Sequence, residues 1–285
     1  MFHRSTIRSL FVAVLGSILI PATARAAHPC PADLDCSGSV NIDDLTAVIL
    51  GWGSCNPSPC AGDTNGDNQV NIDDLTSVIL SWGQCTFQYQ ADFPNAEAEQ
   101  IGLEFLGSTG PLLLPQSTYD RIVRDLSLIR AAYPDLADQT HTPAWAPNQL
   151  IVSVTQSLSH ENYQCLKTYY QVTDESLLFS FGGTDYYVIT FAGHVNVVRL
   201  ASIFAEAPEI SSADPNSLVG GENFWVPSLL ISGSWRWSID DGFFDCFDGC
   251  DCHKQYVIDI DTPGNVTLVD YQQFGQPWCD FGGGK

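Results

Sequence analysis

Two short apolar stripes stand out in the first third of the chain. Leu45, Val48, Ile49 and Trp52 fall at positions i, i+3, i+4 and i+7, which is the spacing of one helix face. The same spacing recurs thirty residues later at Leu75, Val78, Ile79 and Trp82. One such helix cannot bury its stripe alone, so the pattern predicts two helices whose stripes face each other.

The repeat is longer than the two helices. Residues 33–55 align without gaps on residues 63–85, and 14 of the 23 positions are identical. Cys30 also aligns with Cys60. Identity at this level indicates a duplicated loop–helix unit. We expect Gly53 and Gly83 at the C-termini of the two helices.

Beyond the repeat, the pattern predicts an α+β region. Residues 87–99 have the composition of a linker, and residues 117–136 form a helical pattern that stops at Pro134. The following predicted elements are strand 148–154, helix 159–170, two strands within 176–193, helix 194–210 and strand 210–219. This β-α-β-β-α-β order is that of the split-βαβ, or ferredoxin-like, arrangement.

The final 63 residues are rich in predicted strands. Tyr256, Ile258 and Ile260 would share one face of a strand, and the residues between them would share the other. The sequence "DTPGNV" that follows favours a hairpin turn. We therefore expect a small strand-rich lobe at the C-terminus.

The N-terminus has the pattern of a secretory leader. Arg4 and Arg8 precede an apolar run of 12 residues, and Ala24-Arg25-Ala26 follows it. The run is too short to span a membrane comfortably. We expect cleavage after Ala26 or Ala27, and hence a secreted protein without a membrane anchor.

These patterns predict a multidomain chain. The expected segments are a signal peptide at 1–27, a small all-α duplicated loop–helix module at 28–86, a linker and helical segment at 87–147, an α+β domain at 148–222 and a strand-rich, cysteine-containing lobe at 223–285.

The composition adds a strong negative charge. The chain has 33 acidic and 11 basic residues, a net charge of −22. Loss of the leader would remove three arginines and no acid, leaving 8 basic against 33 acidic residues, a net charge of about −25. Such a surface repels nucleic acid and anionic lipid and attracts divalent cations. We expect no nucleic-acid or membrane partner.

The loops before the two predicted helices supply oxygen atoms at alternate positions, which suits a hard cation with six to eight oxygen ligands. Gly38 and Asn68 occupy the sixth positions, where the loop must turn sharply. Ser37 is a poorer ligand than the equivalent Asp67, although Asp35 is equivalent to the neutral Asn65, and the first site is predicted to bind more weakly. The expected calcium ligands are Asp33, Asp35, Ser37, the Ser39 carbonyl and Asp44 in the first loop, and Asp63, Asn65, Asp67, the Gln69 carbonyl and Asp74 in the second.

This duplicated region resembles a dockerin, the calcium-binding module that attaches secreted proteins to cohesin modules. The resemblance covers two loops, an Asp at each twelfth position, and a helix after but not before each loop. It implies two antiparallel loop–helix units around two calcium ions. Residues 28–85 contain eight acids and no Lys or Arg, so metal binding and folding should be coupled.

The chain departs from the family pattern at the positions that usually contact cohesin. Dockerins commonly have small hydroxyl residues just before the twelfth position and basic residues in the following helix. This chain has Ile42, Asp43, Ile72, Asp73 and the pairs Ile49-Leu50 and Ile79-Leu80 at these positions. The resemblance therefore implies the calcium role more directly than the partner. A cohesin-like or other extracellular protein is the expected partner, and a calcium-stapled spacer without a partner is the alternative.

Ten cysteines in an exported chain favour disulfides. In the duplicated region they could pair within the repeats (Cys30–Cys55, Cys60–Cys85) or across them (Cys30–Cys85, Cys55–Cys60). We favour the second arrangement, because in an antiparallel pair the start of one loop lies near the end of the other helix. Cys36 is either free or paired with Cys165.

The cysteines of the C-terminal lobe allow two interpretations. Disulfides Cys246–Cys250 and Cys252–Cys279 are favoured. A zinc site that also uses His253 is the alternative, although C-x3-C-x-C-H is not a standard zinc spacing.

Residues 148–219 resemble, weakly, the propeptide module of subtilisin-type proteases, through "PNQLIVSV", "VNVVRLASIFAEAPEI" and "SADPNSLV". The resemblance implies an inhibitor-like or binding domain, since no protease domain follows. No residues are predicted to be catalytic. Trp225, Trp235 and Trp237 could stack on sugars but are more often core residues.

The favoured function is that of a secreted, non-catalytic calcium-binding protein whose dockerin-like module mediates attachment and whose C-terminal region binds a ligand. The alternatives are a dockerin-bearing enzyme acting on polysaccharide and a propeptide-like protease inhibitor. The sequence does not favour an enzyme, because no set of residues in it is typical of a catalytic site.

Overall fold

The computed structural model describes residues 29–55, 60–154, 158, 161–218, 221, 223–244 and 250–279. The expected leader at 1–27 lies outside these residues. The described part mixes six helices with antiparallel sheets. No helix within the described ranges has the length and apolar character needed to cross a membrane.

The N-terminal unit consists of two similar halves. Each half has a loop, a two-residue strand, a nine-residue helix and a second two-residue strand. The elements are β1 Ser39–Val40, α1 Ile42–Leu50, β2 Gly53–Ser54, β3 Gln69–Val70, α2 Ile72–Leu80 and β4 Gly83–Gln84. Strand β1 pairs with β4 and β2 with β3, both antiparallel. Each of these two ribbons therefore contains one strand from each half.

The helix stripes are buried only in part. Val48 and Val78 are fully buried in a small core with Val40 and Val70. Trp52 and the equivalent Trp82, by contrast, are each 53% exposed. The expectation that the whole stripe is buried was wrong, because α1 ends at Leu50 and α2 at Leu80, so Trp52 and Trp82 lie beyond the ends of the helices.

The glycines predicted to end the helices lie slightly further on. Helices α1 and α2 end at Leu50 and Leu80, and Gly53 and Gly83 begin the following short strands with φ of 122° and 121°. Such a φ favours glycine.

The second part of the chain begins with two helices, the first of which lies partly within the predicted linker. Asn95 caps this helix by accepting a hydrogen bond from the backbone of Ala98. The linker interpretation of 87–99 was therefore wrong for its last residues. The elements are α3 Ala96–Leu106, α4 Gln116–Ala132 and a short 3-10 helix Pro134–Leu136.

A four-stranded antiparallel sheet follows, with the strand order β6-β7-β5-β8. Its elements are β5 Trp145–Val154, α5 Glu161–Tyr169, β6 Val172–Phe181, β7 Thr184–Phe191, α6 Val197–Phe204 and β8 Ile210–Ser217. The chain order of these strands and helices is the predicted one. Helix α6 is shorter than expected, since it is capped by Asn196 and ends before Pro208.

The last four strands form an antiparallel meander with the order β12-β11-β10-β9. They are β9 Phe224–Leu229, β10 Trp235–Phe243, β11 Cys252–Ile260 and β12 Val266–Gly275. Tyr256, Ile258 and Ile260 are buried while Val257 and Asp259 are not, which confirms the predicted faces of this strand. Helix α4 packs beside β12 through its contacts with the turn before that strand.

One buried core joins helices α3 and α4 to both four-stranded sheets. It contains residues from Ala98 to Ile260, including the three tryptophans that were expected to be core residues. The segments 87–147, 148–222 and 223–285 therefore share one apolar core. Because helix α3 covers part of this core, it is an integral element and not a connection.

Candidate metal centres of the duplicated loops

The first acid of each loop closes the loop onto itself. The carboxylates of Asp33 and Asp63 are 4% and 7% exposed. Each accepts hydrogen bonds from the backbone N–H groups of the fifth and sixth loop residues, at 3.0 and 2.9 Å in the first loop and 3.2 and 2.9 Å in the second. These bonds wrap the backbone around one carboxylate, which brings the alternate side chains to the same side.

The twelfth acid of each loop is also buried. Asp44 and Asp74 are fully buried, and each accepts hydrogen bonds from the second loop residue and from the helix N-cap residue. The side chains of the N-cap residues Asn41 and Asn71 in turn accept hydrogen bonds from backbone N–H groups of the first helical turn. Each helix therefore begins with a capping box. The helix thus fixes the position of the acid that closes the loop.

The sharp turns occur where they were expected. Gly38 has φ of 86° and Asn68 has φ of 65°, both in the left-handed region. The fourth positions also turn this way, with φ of 56° at Cys36 and 76° at Gly66, which the sequence pattern had not indicated.

The first loop gathers its acids closely. Carboxylate oxygens of Asp33, Asp35 and Asp44 all lie within 4.8 Å of one another. The Ser37 hydroxyl donates to the Ser39 carbonyl over 3.1 Å, so these two expected ligands are adjacent as well. The donors are all oxygen atoms, which is the ligand type that hard cations prefer.

The second loop is connected in a similar way. The backbone of Asp67 donates to the side chain of Asn65 over 2.9 Å, and the Asn65 amide donates to Asp67 over 3.3 Å. Asp67 in turn accepts from the backbone of Gln69 over 2.8 Å. These bonds connect the expected ligand residues Asn65, Asp67 and Gln69 in one turn of the loop.

The electrostatics of the two loops differ. Burial raises the pKa of Asp33 to about 6, with further increases from the hydrogen bond to Asp35 and the charge of Asp44. Burial also acts to raise the pKa of Asp74, but hydrogen bonds from Asn71 and Thr64 outweigh it, and the pKa is lowered. Since residues 29–86 contain no Lys or Arg, no basic side chain of this unit can balance the buried acids. The residues present fit a bound cation.

Disulfides fasten the two halves together. Cys30 is bonded to Cys85, with 6.2 Å between their Cα atoms, and Cys55 to Cys60, with 5.4 Å. This is the arrangement across the repeats. It follows from the ribbon pairing, which places the start of one half beside the end of the other.

A third disulfide joins the first loop to the rest of the protein. Cys36 is bonded to Cys165 in helix α5, with 4.8 Å between Cα atoms. Cys36 is therefore not free, and its left-handed backbone directs its side chain out of the loop towards the helix.

In the C-terminal lobe, Cys252 is bonded to Cys279. Cys250 is disulfide-bonded, while its expected partner Cys246 lies outside the described residues. His253 contacts Asp240 and the Cys250 carbonyl, each at 2.9 Å. The alternative zinc set of this lobe was therefore wrong, since its described cysteines Cys250, Cys252 and Cys279 are all disulfide-bonded.

Two polar clusters in the second part of the chain escaped the sequence patterns. One contains Glu104 and His141, and the other contains Asp92, Glu99 and His194. Each joins residues from segments that are distant in the chain, so no local spacing could have signalled it.

Comparison with known proteins yields no match to a family model, to a curated protein or to a solved structure.

Proposed function

We propose that residues 29–86 form a dockerin-like module that binds two calcium ions and attaches an exported, non-catalytic protein to an extracellular partner. The observation that carries the proposal is the buried pair of carboxylates in each loop, Asp33 with Asp44 and Asp63 with Asp74, in a unit without basic residues. Calcium would be bound by the five oxygen donors of each loop, and its charge would offset the cost of burying the acids.

Calcium titration of the full chain after chelation tests the metal part. Two ions per chain are expected, and Asp33→Asn and Asp63→Asn should each abolish one of them. Asp120→Asn, which changes an exposed acid of helix α4, is the control and should leave both sites intact. Binding of no calcium, or equal binding by all variants, would refute the proposal.

The attachment part is supported by a repeated apolar surface on the two helices. Leu50 and Leu80 are 82% and 81% exposed, and Ile49 and Ile79 are 56% and 53% exposed. Equivalent residues of the two halves are thus presented alike. Exposed apolar groups in matching pairs are typical of a protein–protein contact.

Calcium-dependent retention of a protein from the native secretome tests this part. The wild-type chain should retain a partner in calcium and release it in chelator, and the Leu50→Asp, Leu80→Asp double variant should retain none. A Val269→Asp variant, which changes an exposed apolar residue of β12, should behave as wild type. Equal retention in calcium and in chelator, and by the wild type and the double variant, would contradict a docking role of the module.

We further propose that residues 145–217 adopt a ferredoxin-like fold and serve as a binding domain. The support is the strand order β6-β7-β5-β8 combined with the β-α-β-β-α-β element order. Four described disulfides agree with an extracellular location for the whole chain.

A further inference from the structure

Three side chains from separate segments converge at one point outside the duplicated loops. Asp92 precedes helix α3, Glu99 lies in its first turn, and His194 lies in the turn between β7 and α6. One ligand atom of each side chain lies within 4.8 Å of the other two.

The Glu99 side chain is the unusual member of this group. It is only 3% exposed, and its Oε2 atom is buried without a hydrogen-bond partner. The Nδ1 atom of His194, 3.2 Å away, is also buried and has no hydrogen-bond partner. Burying an acceptor without a partner costs free energy. A ligand between the two atoms would explain why both are directed to the same place.

The alternative is a direct ion pair between Glu99 and a protonated His194. Their 3.2 Å separation is within the range of an ion pair, but the two atoms do not have hydrogen-bond geometry. A buried ion pair is stabilising only when its geometry is good.

The distances fit a small transition-metal ion. Zinc bonds of about 2.0–2.1 Å in a tetrahedral arrangement place neighbouring ligand atoms about 3.3 Å apart. His194 Nδ1 lies 3.2 Å from Glu99 Oε2 and 3.7 Å from Asp92 Oδ1. An imidazole nitrogen with two carboxylate oxygens suits zinc better than calcium, whose ligands are oxygen atoms alone.

The backbone around the cluster is held in place from several sides. Next to Asp92, Phe93 stacks on Tyr119 with 4.1 Å between ring centroids. Next to His194, the backbone N–H of Val195 donates to Pro147 over 2.9 Å. The three ligands are therefore positioned by packing that does not depend on a metal, which lowers the cost of binding one.

From these observations we propose a zinc site formed by Asp92, Glu99 and His194. Glu99 is its buried ligand, and His194, whose side chain is 31% exposed, contributes its buried Nδ1 atom. Asp92, whose side chain is 69% exposed, closes the site from the solvent side. Three protein ligands leave a fourth position that faces water. Bound zinc links the start of helix α3 to the β7–α6 turn across the shared core.

Zinc titration of the full chain in excess calcium tests the proposal, because calcium occupies oxygen-only sites and leaves this one to zinc. One equivalent of zinc is expected to bind and to raise the thermal unfolding temperature. Cobalt in place of zinc should give the visible absorption of a four-coordinate ion with a nitrogen ligand. The absence of any stoichiometric zinc binding would overturn the proposal.

Variants assign the ligands. His194→Asn and Glu99→Gln should each weaken zinc binding at least about 100-fold. Asp92→Asn changes an exposed side chain that folding does not require, so it stays informative if a buried variant fails to fold; it should weaken binding and alter the cobalt spectrum. His253→Gln, which changes another histidine beside a carboxylate, is the control and should bind zinc as wild type does. Wild-type affinity in His194→Asn or Asp92→Asn would refute the assignment.

Discussion

At the scale of single residues, the two loops differ at two of their five ligand positions. Both loops bury their first and twelfth acids and turn at the sixth position. They differ at the fifth position, where Ser37 is equivalent to Asp67, and at the third position, where Asp35 is equivalent to the neutral Asn65. A hydroxyl is a weaker calcium ligand than a carboxylate, so the difference should appear as affinity.

Ser37→Asp is expected to raise the calcium affinity of the first loop about tenfold, because it adds a charged ligand next to Asp35. Calcium titration calorimetry on a background with the second loop inactivated measures the effect. Thr46→Asp adds the same charge on an exposed helix surface and should change the affinity far less. An equal gain in both variants would mean that general charge, and not ligation, sets the affinity.

A buried histidine–glutamate pair illustrates residue-scale chemistry in the second part of the chain. The backbone N–H of Trp225 donates to Nδ1 of His141 over 3.1 Å, so Nδ1 is an acceptor and the ring N–H is on Nε2. That nitrogen donates to Glu104 over 3.0 Å. Burial acts to raise the pKa of Glu104, but the hydrogen bonds from His141, Gln100 and Ala144 outweigh it and the pKa is lowered.

Glu104→Gln is expected to lower the free energy of unfolding by about 2 kcal/mol at pH 7, because both carboxylate oxygens accept hydrogen bonds and the amide NH2 that replaces one of them would face a donor. A lowered folded-state pKa gives stability that is present above the usual pKa of 4.5 and is lost as pH falls through the folded-state value. The gap between variant and wild type should therefore narrow below pH 4.5 in chemical denaturation. Glu206→Gln, at an exposed acid, is the control, and a gap independent of pH would contradict the argument.

At the scale of elements, helix α3 shows why a segment with a linker-like start can be structural. Its first turn contains the acids Glu97 and Glu99, a residue type that is typical of an exposed surface. In the structure, however, Arg130 forms an ion pair with Glu97 at 2.8 Å. Ala98, Ile101 and Leu103 on the same helix are buried in the core. The helix begins where Asn95 supplies the cap.

Asn95→Ala is expected to destabilise the protein by about 1 kcal/mol through loss of this cap, while Asn95→Asp should retain most of the stability. Denaturant unfolding followed by tryptophan fluorescence measures both, since α3 packs against β9 and its buried Trp225. Equal losses in the two variants would show that the side-chain acceptor is not what matters.

At the scale of the whole molecule, two apolar cores are joined by a narrow connection. The small core of the duplicated unit is separate from the large core of α3, α4 and the two sheets. Tyr169 packs against both, and the Cys36–Cys165 disulfide lies beside it. The two parts should therefore unfold as distinct but tethered units.

Removal of calcium is expected to lower the midpoint of one unfolding transition and leave the other nearly unchanged, because both candidate calcium loops lie in the small unit. Trp237→Phe should do the reverse, weakening the large unit by about 1–3 kcal/mol through lost packing and loss of its bond to Asp125. Calorimetric scans with and without chelator separate the two. A single transition shifted by both changes would show that the parts unfold together.

The repeat, the sharp turns of its loops, the order of helices and strands in residues 145–217 and the inner face of β11 could all be predicted, because each depends on local spacing. The exposure of Trp52 and the burial of α3 could not, because each depends on how much surface a neighbouring element covers. The sequence by itself determined two acidic loops, each closed by a capped helix, since ligand spacing and helix capping are properties of short stretches. Only the tertiary structure decided the meeting of Asp92, Glu99 and His194, because no pattern links residues about one hundred positions apart until a shared core brings them together.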